Sequence, residues 1–166
     1  SDVCSSDLKQ QLVLIGNGMA GVRTLEELLK LAPEHYQITV FGEEPYGNYN
    51  RIMLSPVLAS EKTIEQIMLN DDDWYAANHI TLHKGKRVEQ INRARRQVIA
   101  TDGTIAHYDR LIIATGSNPF MLPVPGANKR GVLGFRDIHH VHQMLQASSQ
   151  YKKAIVIGGG LLGLEA

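Results

Sequence analysis

The chain has 166 residues, of which 43% are hydrophobic and 20% charged, with seventeen basic side chains balancing seventeen acidic ones. That length holds one domain with a real core and is short for two. A balanced chain sets up no field for nucleic acid or an anionic membrane, and its longest apolar runs fall far short of a membrane span. The one cysteine, Cys4, builds no disulfide framework. It therefore points to a reducing, cytoplasmic compartment. Residues 1–8 lack the pattern of a strand, a helix or a secretion signal, and read as a disordered tail or an artefact, with no role for Cys4.

Gln11 to Ile15 (Q-L-V-L-I) is a short apolar run ending at glycine, as in a strand buried on both faces of a parallel sheet. Met19 to Leu31 follows as a helix, with apolar spacing at Val22, Leu25, Leu28 and Leu29 and a stop at Pro33. Gln37 to Phe41 is a second strand, completing a strand–helix–strand unit. Gly42 to Ser55 reads as a loop, and Ser55-Pro56 as a helix N-cap followed by proline. Thr63 to Leu69 reads as a further helix. Asn70 and Asp71 to Asp73 cap a helix carrying Trp74 and Tyr75, two packing residues. The acidic run lacks the alternating ligand spacing of a calcium loop.

Ile80 to His83 is a short strand. Val88 to Asn92, Gln97 to Thr101 and Thr104 to Tyr108 form an antiparallel meander, with Asp102-Gly103 as a hairpin turn. Arg93, Arg95 and Arg96 belong to a solvated turn, since no aromatics interleave for base stacking. Leu111 to Ala114 is a buried strand, Asp137 to Ser148 a helix, and Ala154 to Ile157 a last strand. No metal site is expected: neighbouring His139 and His140 cannot face one ligand with His142, and no carboxylate partner is evident.

The chemistry sits in glycines. In G-N-G-M-A-G, Gly16 permits the tight turn, Gly18 lets backbone approach a pyrophosphate, and Gly21 lets helix and strand pack. The helix start at Met19, Ala20 and Gly21 offers N–H groups and a positive dipole end to phosphates. Glu43 and Glu44 follow the second strand, where an acid accepts hydrogen bonds from ribose hydroxyls. The motif recurs as I-V-I-G-G-G-L-L-G, with Gly158, Gly160 and Gly163. Two dinucleotide sites in one chain point to hydride transfer from a nicotinamide to a flavin. The protein then supplies orientation rather than proton chemistry, and no catalytic acid or base is expected.

The segment Y-D-R-L-I-I-A-T-G-S from Tyr108 to Ser117 resembles the A-T-G segment of two-dinucleotide flavoprotein reductases. The order of first glycine motif, acid, meander, A-T-G and second glycine motif agrees with that family throughout. The loop F-G-E-E-P-Y-G-N-Y-N-R-I-M-L-S, from Phe41 to Ser55, resembles the rubredoxin and ferredoxin reductase branch. G-N-G-M-A-G-V-R-T-L-E-E-L together with N-Y-N-R-I-M-L-S-P-V-L is most similar to the large subunits of assimilatory NAD(P)H-dependent nitrite reductases.

The resemblance implies an α/β fold: a Rossmann-like FAD-binding domain with a parallel sheet and a β-meander, over residues 9–150. Residues 151–166 would open a second, NAD(P)-binding Rossmann unit, so the chain is expected to be a piece of a longer protein that holds FAD weakly by itself. It implies that Glu43 binds the FAD ribose and Val88 lies by the adenine. Ala114, Thr115 and Gly116 return the chain to the FAD, which Arg136 approaches, and Arg51 lies near the flavin. NAD(P)H would reduce FAD, and electrons would pass to iron–sulfur and sirohaem centres downstream, where nitrite becomes ammonia. A small nitrite reductase subunit and a homo-oligomer are implied as partners. The alternatives are a stand-alone rubredoxin or ferredoxin reductase and a non-catalytic nucleotide-binding module. The dithiol pair of glutathione-reductase-type relatives has no counterpart, and Pro56 stands where related ferredoxin reductases often carry lysine. NADH and NADPH are not distinguished, because the discriminating residue would follow Ala166.

Overall fold

A computed structural model describes residues 9–165; the tail containing Cys4 lies outside the described residues. The chain forms two compact units. One takes in the chain up to Tyr49 together with Leu69–Gly116, and the other Asn50–Met68 with the chain from Ser117 onward.

The first unit is built on β1 (Gln10–Ile15), α1 (Met19–Leu31) and β2 (Tyr36–Phe41). β3 (Asn48–Tyr49) and β4 (Met68–Asn70) pair as a short two-stranded ladder. Then come α3 (Asp72–Ala77), β5 (Thr81–His83), the meander strands β6 (Val88–Asn92), β7 (Gln97–Ala100) and β8 (Ile105–His107), and β9 (Arg110–Ile113). Between β3 and β4 the chain passes through α2 (Leu54–Leu58) of the second unit. The main sheet has the order β5-β2-β1-β9, and every pairing in it is parallel. β1 lies inside this sheet, so both of its faces must be apolar. Leu12 and Leu14 point to one face, where Leu25 of α1 and Tyr75 of α3 cover them. Val13 and Ile15 point to the other, where Val98 and Ala100 of the meander cover them. The alternation of side chains along a strand thus explains why one apolar run needs two covering layers.

The meander follows its turn chemistry. Gly103 has φ +84°, a left-handed conformation natural to glycine, and Thr104 N–H donates to Asp102 Oδ1 at 3.0 Å. Asp71 caps α3 as its sequence predicts, accepting from Trp74 N–H at 2.9 Å.

The second unit contains α2, α4 (Ile138–Gln150) and α5 (Leu161–Glu165). Leu54 and Val57 of α2 and Ile138 and Val141 of α4 are buried where those helices pack. Asp137 caps α4, accepting from His140 N–H at 2.8 Å.

Three local expectations are corrected. Ser55 is not an N-cap. The helix grows from a 3-10 turn at Arg51–Met53, whose cap is Asn50, accepting from Ile52 N–H at 3.0 Å. Ser55 Oγ instead donates to Glu165 Oε2 at 2.9 Å. Thr63 to Leu69 makes only a single 3-10 turn at Glu65–Ile67. Thr63 and Gln66 make reciprocal side-chain bonds of the capping-box kind (3.0 and 3.4 Å). The chain then turns extended as β4, where buried Asn70 accepts from the Asn48 amide at 2.9 Å. Ala154 to Ile157 pairs with no strand among the described residues, and Ile155 is 91% exposed. A strand's hydrogen bonds belong to its neighbours, so an apolar run without them has no ladder.

Leu14 has no solvent exposure. Leu14→Ala is expected to lower unfolding free energy by about 2–5 kcal/mol, whereas Ile155→Ala stays within about 0.5 kcal/mol. Urea denaturation of the two variants checks both.

Candidate functional site

Three segments meet at the carboxyl ends of the parallel strands. Register places Ile15 of β1 opposite Phe41 of β2 and Ile113 of β9. The next residues, Gly16, Gly42 and Ala114, therefore leave the sheet side by side. Gly16 N–H donates to Phe41 O and Ala114 N–H to Ile15 O, both at 2.8 Å. In an open parallel sheet, this edge is where ligands bind.

Each glycine of the first motif has a different physical job. Gly16 adopts φ +106°, and a Cβ there would lie 2.6 Å from the carbonyl carbon of Ala114. Only glycine satisfies both constraints. Gly18 is the N-cap of α1 with extended backbone, and a Cβ there would meet nothing within 4 Å. Its missing side chain leaves open space in front of the helix. Gly21 lies where a Cβ would come 2.9 Å from Gly16 O and 3.2 Å from Ala114 Cβ, so it serves close packing. No side chain caps α1, and no acid lies in its first turn. Met19, Ala20 and Gly21 thus open a helix whose first N–H groups and positive dipole end carry no side-chain cap and no acid of the first turn.

Glu43 and Glu44 follow β2, and their surroundings separate them. Glu44 accepts from Tyr49 O–H at 2.7 Å. Glu43 is two-thirds exposed and faces Arg87, with Oε1 3.5 Å from Nη1. Val88, the next residue, is half-buried against the meander core and begins β6 opposite Ala100. Thr115 and Gly116 follow β9 on the surface, and Gly116 has φ +72°.

In the second unit, Arg51 Nη1 donates to Arg136 O at 3.2 Å, and Arg136 Nε donates to Ser117 O at 3.0 Å. The two arginines singled out by sequence are therefore neighbours, although 85 residues separate them. The second glycine motif reproduces the first turn. Gly158 has φ +116°, a Cβ on Gly160 would meet nothing within 4 Å, and a Cβ on Gly163 would strike Gly158 O. His140 Nδ1 lies 2.8 Å from Asp137 Oδ1, the helix cap three residues earlier, but makes no hydrogen bond among the described residues; that carboxylate oxygen accepts from the His140 backbone N–H instead.

Asn17 of the turn and Tyr75 of α3 escape a motif reading. Asn17, between Gly16 and Gly18, accepts from Tyr75 O–H at 2.7 Å. Its own amide donates to Tyr46 O at 3.5 Å. Tyr75, only 2% exposed, is both a packing residue and a hydrogen-bond donor to the glycine turn. The sequence signal was weak: an aromatic hydroxyl on a capped helix, near nothing in the chain that needs it.

A family model described as pyridine nucleotide-disulphide oxidoreductase matches residues 10–166. The chain is 57% identical over 158 residues to a nitrite reductase [NAD(P)H] of Bacillus subtilis (strain 168), covering 95% of this chain and 20% of that protein. It is 51% identical, with the same coverages, to an assimilatory nitrate reductase electron transfer subunit of that organism. A solved structure of NADH:rubredoxin oxidoreductase from Clostridium acetobutylicum superposes with a TM-score of 0.84 at 27% identity, covering 95% of this chain and 40% of that one. The chain thus spans about a fifth of the length of these two Bacillus relatives.

Tyr75 also gives the fold an alkaline limit. Burial pushes its phenol up to about 12, against a smaller opposing contribution from the Asn17 hydrogen bond. The folded state holds this proton more tightly than the unfolded state does. Its contribution is complete below pH ~10 and is lost as pH rises towards ~12, at about 1.4 kcal/mol per pH unit. Unfolding free energies measured from pH 9 to 12 are expected to fall more steeply for the native sequence than for Tyr75→Phe.

Proposed function

This chain belongs to the pyridine nucleotide-disulphide oxidoreductase family, a family of FAD-dependent oxidoreductases, and we propose that its first unit carries the dinucleotide cradle for FAD. The observation that carries this reading is the open space at Gly18 before an uncapped α1. That space suits a pyrophosphate, which draws on backbone N–H groups and the helix dipole rather than on a side chain. Gly16, Gly18, Met19, Ala20 and Gly21 would hold the two phosphates. Glu43 would accept from the ribose hydroxyls, which its exposure permits and which Glu44, engaged by Tyr49, is less free to do. Val88 would border the adenine, and Ala114, Thr115 and Gly116 would line the path to the flavin.

For Arg51 and Arg136 the assignment to the flavin rests on the sequence pattern. Their mutual hydrogen bond supports treating them as a pair. A guanidinium near a flavin favours its anionic reduced state by electrostatics. Gly158, Gly160 and Gly163 would begin the NAD(P)H site, supported by a turn conformation matching that of the first motif. The domain division at residue 150 is part of the same proposal. FAD, when bound, accepts hydride and releases electrons one at a time. The chain's own residues bind and orient it.

The onward route is proposed from similarity. The 57% identity to a protein named nitrite reductase [NAD(P)H] supports an enzyme that sends electrons through iron–sulfur and sirohaem centres to nitrite. A small subunit, a homo-oligomer and a cytoplasmic setting belong to this reading. No helix among the described residues is long and apolar enough to cross a membrane. A second reading, a separate reductase for rubredoxin or ferredoxin, is supported by the likeness to the rubredoxin oxidoreductase structure.

The full-length protein carrying this sequence distinguishes them. Flavin bleaching by NAD(P)H followed by ammonia from nitrite is expected. Bleaching with electron transfer to rubredoxin and none to nitrite supports the second reading, and no flavin bleaching overturns both. Glu43→Ala is expected to weaken FAD binding by about 1–3 kcal/mol, read from flavin fluorescence titration. Unchanged affinity would remove Glu43 from the ribose.

A further inference from the structure

We propose that Tyr75 is a positioning residue for the glycine turn, acting through Asn17 to set the affinity for the dinucleotide. The inference rests on the reading of this turn as the FAD cradle. Asn17 is the one residue of G-N-G with a side chain, and that side chain is tethered on two sides. Tyr75 O–H donates to its Oδ1 at 2.7 Å, and its amide donates to Tyr46 O at 3.5 Å. The shorter bond lies at a buried position, since Tyr75 is 2% exposed and packs with Leu12, Leu14 and Leu25 in one core cluster. Its ring is therefore held by the same core that holds β1 and α1. The hydroxyl carries the rigidity of that core into a turn which, with glycine on both sides of Asn17, has little stiffness of its own.

A third contact encloses Asn17. Gly42 is buried, and a Cβ there would lie 3.0 Å from Asn17 Cβ. The absence of a side chain at residue 42 thus leaves the place that Asn17 fills. Backbone bonds fix Gly42 itself, from its N–H to His83 O at 2.9 Å and from Lys86 N–H to its carbonyl at 2.8 Å. The turn is set between a hydroxyl on α3 and a bare backbone after β2. Ordering it before the cofactor arrives lowers the entropy lost on binding. Tyr75 touches no cofactor atom in this account.

The test uses full-length protein stripped of FAD. Dissociation constants for FAD are measured by flavin fluorescence, where circular dichroism shows each variant fully folded. Tyr75→Phe keeps the ring and removes the donor. It is expected to raise the FAD dissociation constant by about three- to tenfold, the scale of one net hydrogen bond. Asn17→Ala, which also loses the bond to Tyr46 O, is expected to do at least as much, and the double variant no more than Asn17→Ala alone, since Tyr75→Phe breaks a link that Asn17→Ala has already removed. Gly42→Ala, which displaces Asn17 without touching Tyr75, supplies a second route if Tyr75→Phe does not fold. A merely structural role for Tyr75 would lower the melting temperature and leave the dissociation constant within twofold. That result overturns the inference, as do single effects that multiply in the double variant. Gly18→Val separates the two levels. If it abolishes FAD binding while Tyr75→Phe and Asn17→Ala do nothing, the cradle stands and the inference falls. If Gly18→Val leaves binding intact, the cradle reading falls and takes the inference with it.

Discussion

The parallel register of β1 with its two neighbours is the constraint on which the first unit depends. Ile15 lies opposite both Phe41 and Ile113, so three strands end at one level and three loops leave from it. A slip of one residue would turn Leu12 and Leu14 away from α1 and expose Val13 and Ile15 to the wrong layer. Because both faces of β1 are buried, that slip would cost both cores at once. The edge holding the glycine turn, the acid and the A-T-G segment is a by-product of hydrophobic burial that happens in the middle of the sheet.

The turn itself obeys different physics. Gly16 and Gly158 adopt nearly the same left-handed φ, +106° and +116°, although only the first follows a strand that is paired among the described residues. Gly21 and Gly163 meet the carbonyl oxygen of the first glycine in the same way. The glycine turn is thus a local object, written by the absence of side chains. The strand before it is a cooperative object that exists only where neighbours accept its hydrogen bonds. The contrast between Leu14, without exposure, and Ile155, almost fully exposed, is the same distinction seen in burial.

Polar groups inside the first unit carry order between its elements. Tyr75 reaches Asn17 from α3 (2.7 Å), the Asn48 amide reaches Asn70 (2.9 Å), and the Asn70 amide reaches Glu26 of α1 (3.2 Å). Buried amides and hydroxyls without partners would be costly. Each of these bonds therefore selects one arrangement of helices and short strands around the glycine turn. The difference between Glu43 and Glu44 belongs to this level too: a tyrosine five residues on engages one carboxylate, and the other, largely exposed, lies 3.5 Å from Arg87.

By itself, the sequence determined those features whose cause is local or periodic. The first glycine turn, α1 with its Val22 and Leu25 stripe, the Asp71 cap, the helix near Asp137, the hairpin at Gly103, the buried strand β1 and the position of β9 were all legible, though β9 lies at the sheet edge with Ile113 exposed rather than buried. Propensity, capping and side-chain period act within a few residues. Tertiary structure alone decided the rest. Thr63 to Leu69 had a capping box and still made only one 3-10 turn before turning extended at Met68, where Asn70 meets Asn48. Ala154 to Ile157 had a strand's composition and pairs with no strand among the described residues. Arg51 found Arg136, and Tyr75 found Asn17. Pairings of that kind depend on which surfaces the folded chain brings together. No window of sequence holds both partners of a contact made across 58 or 85 residues.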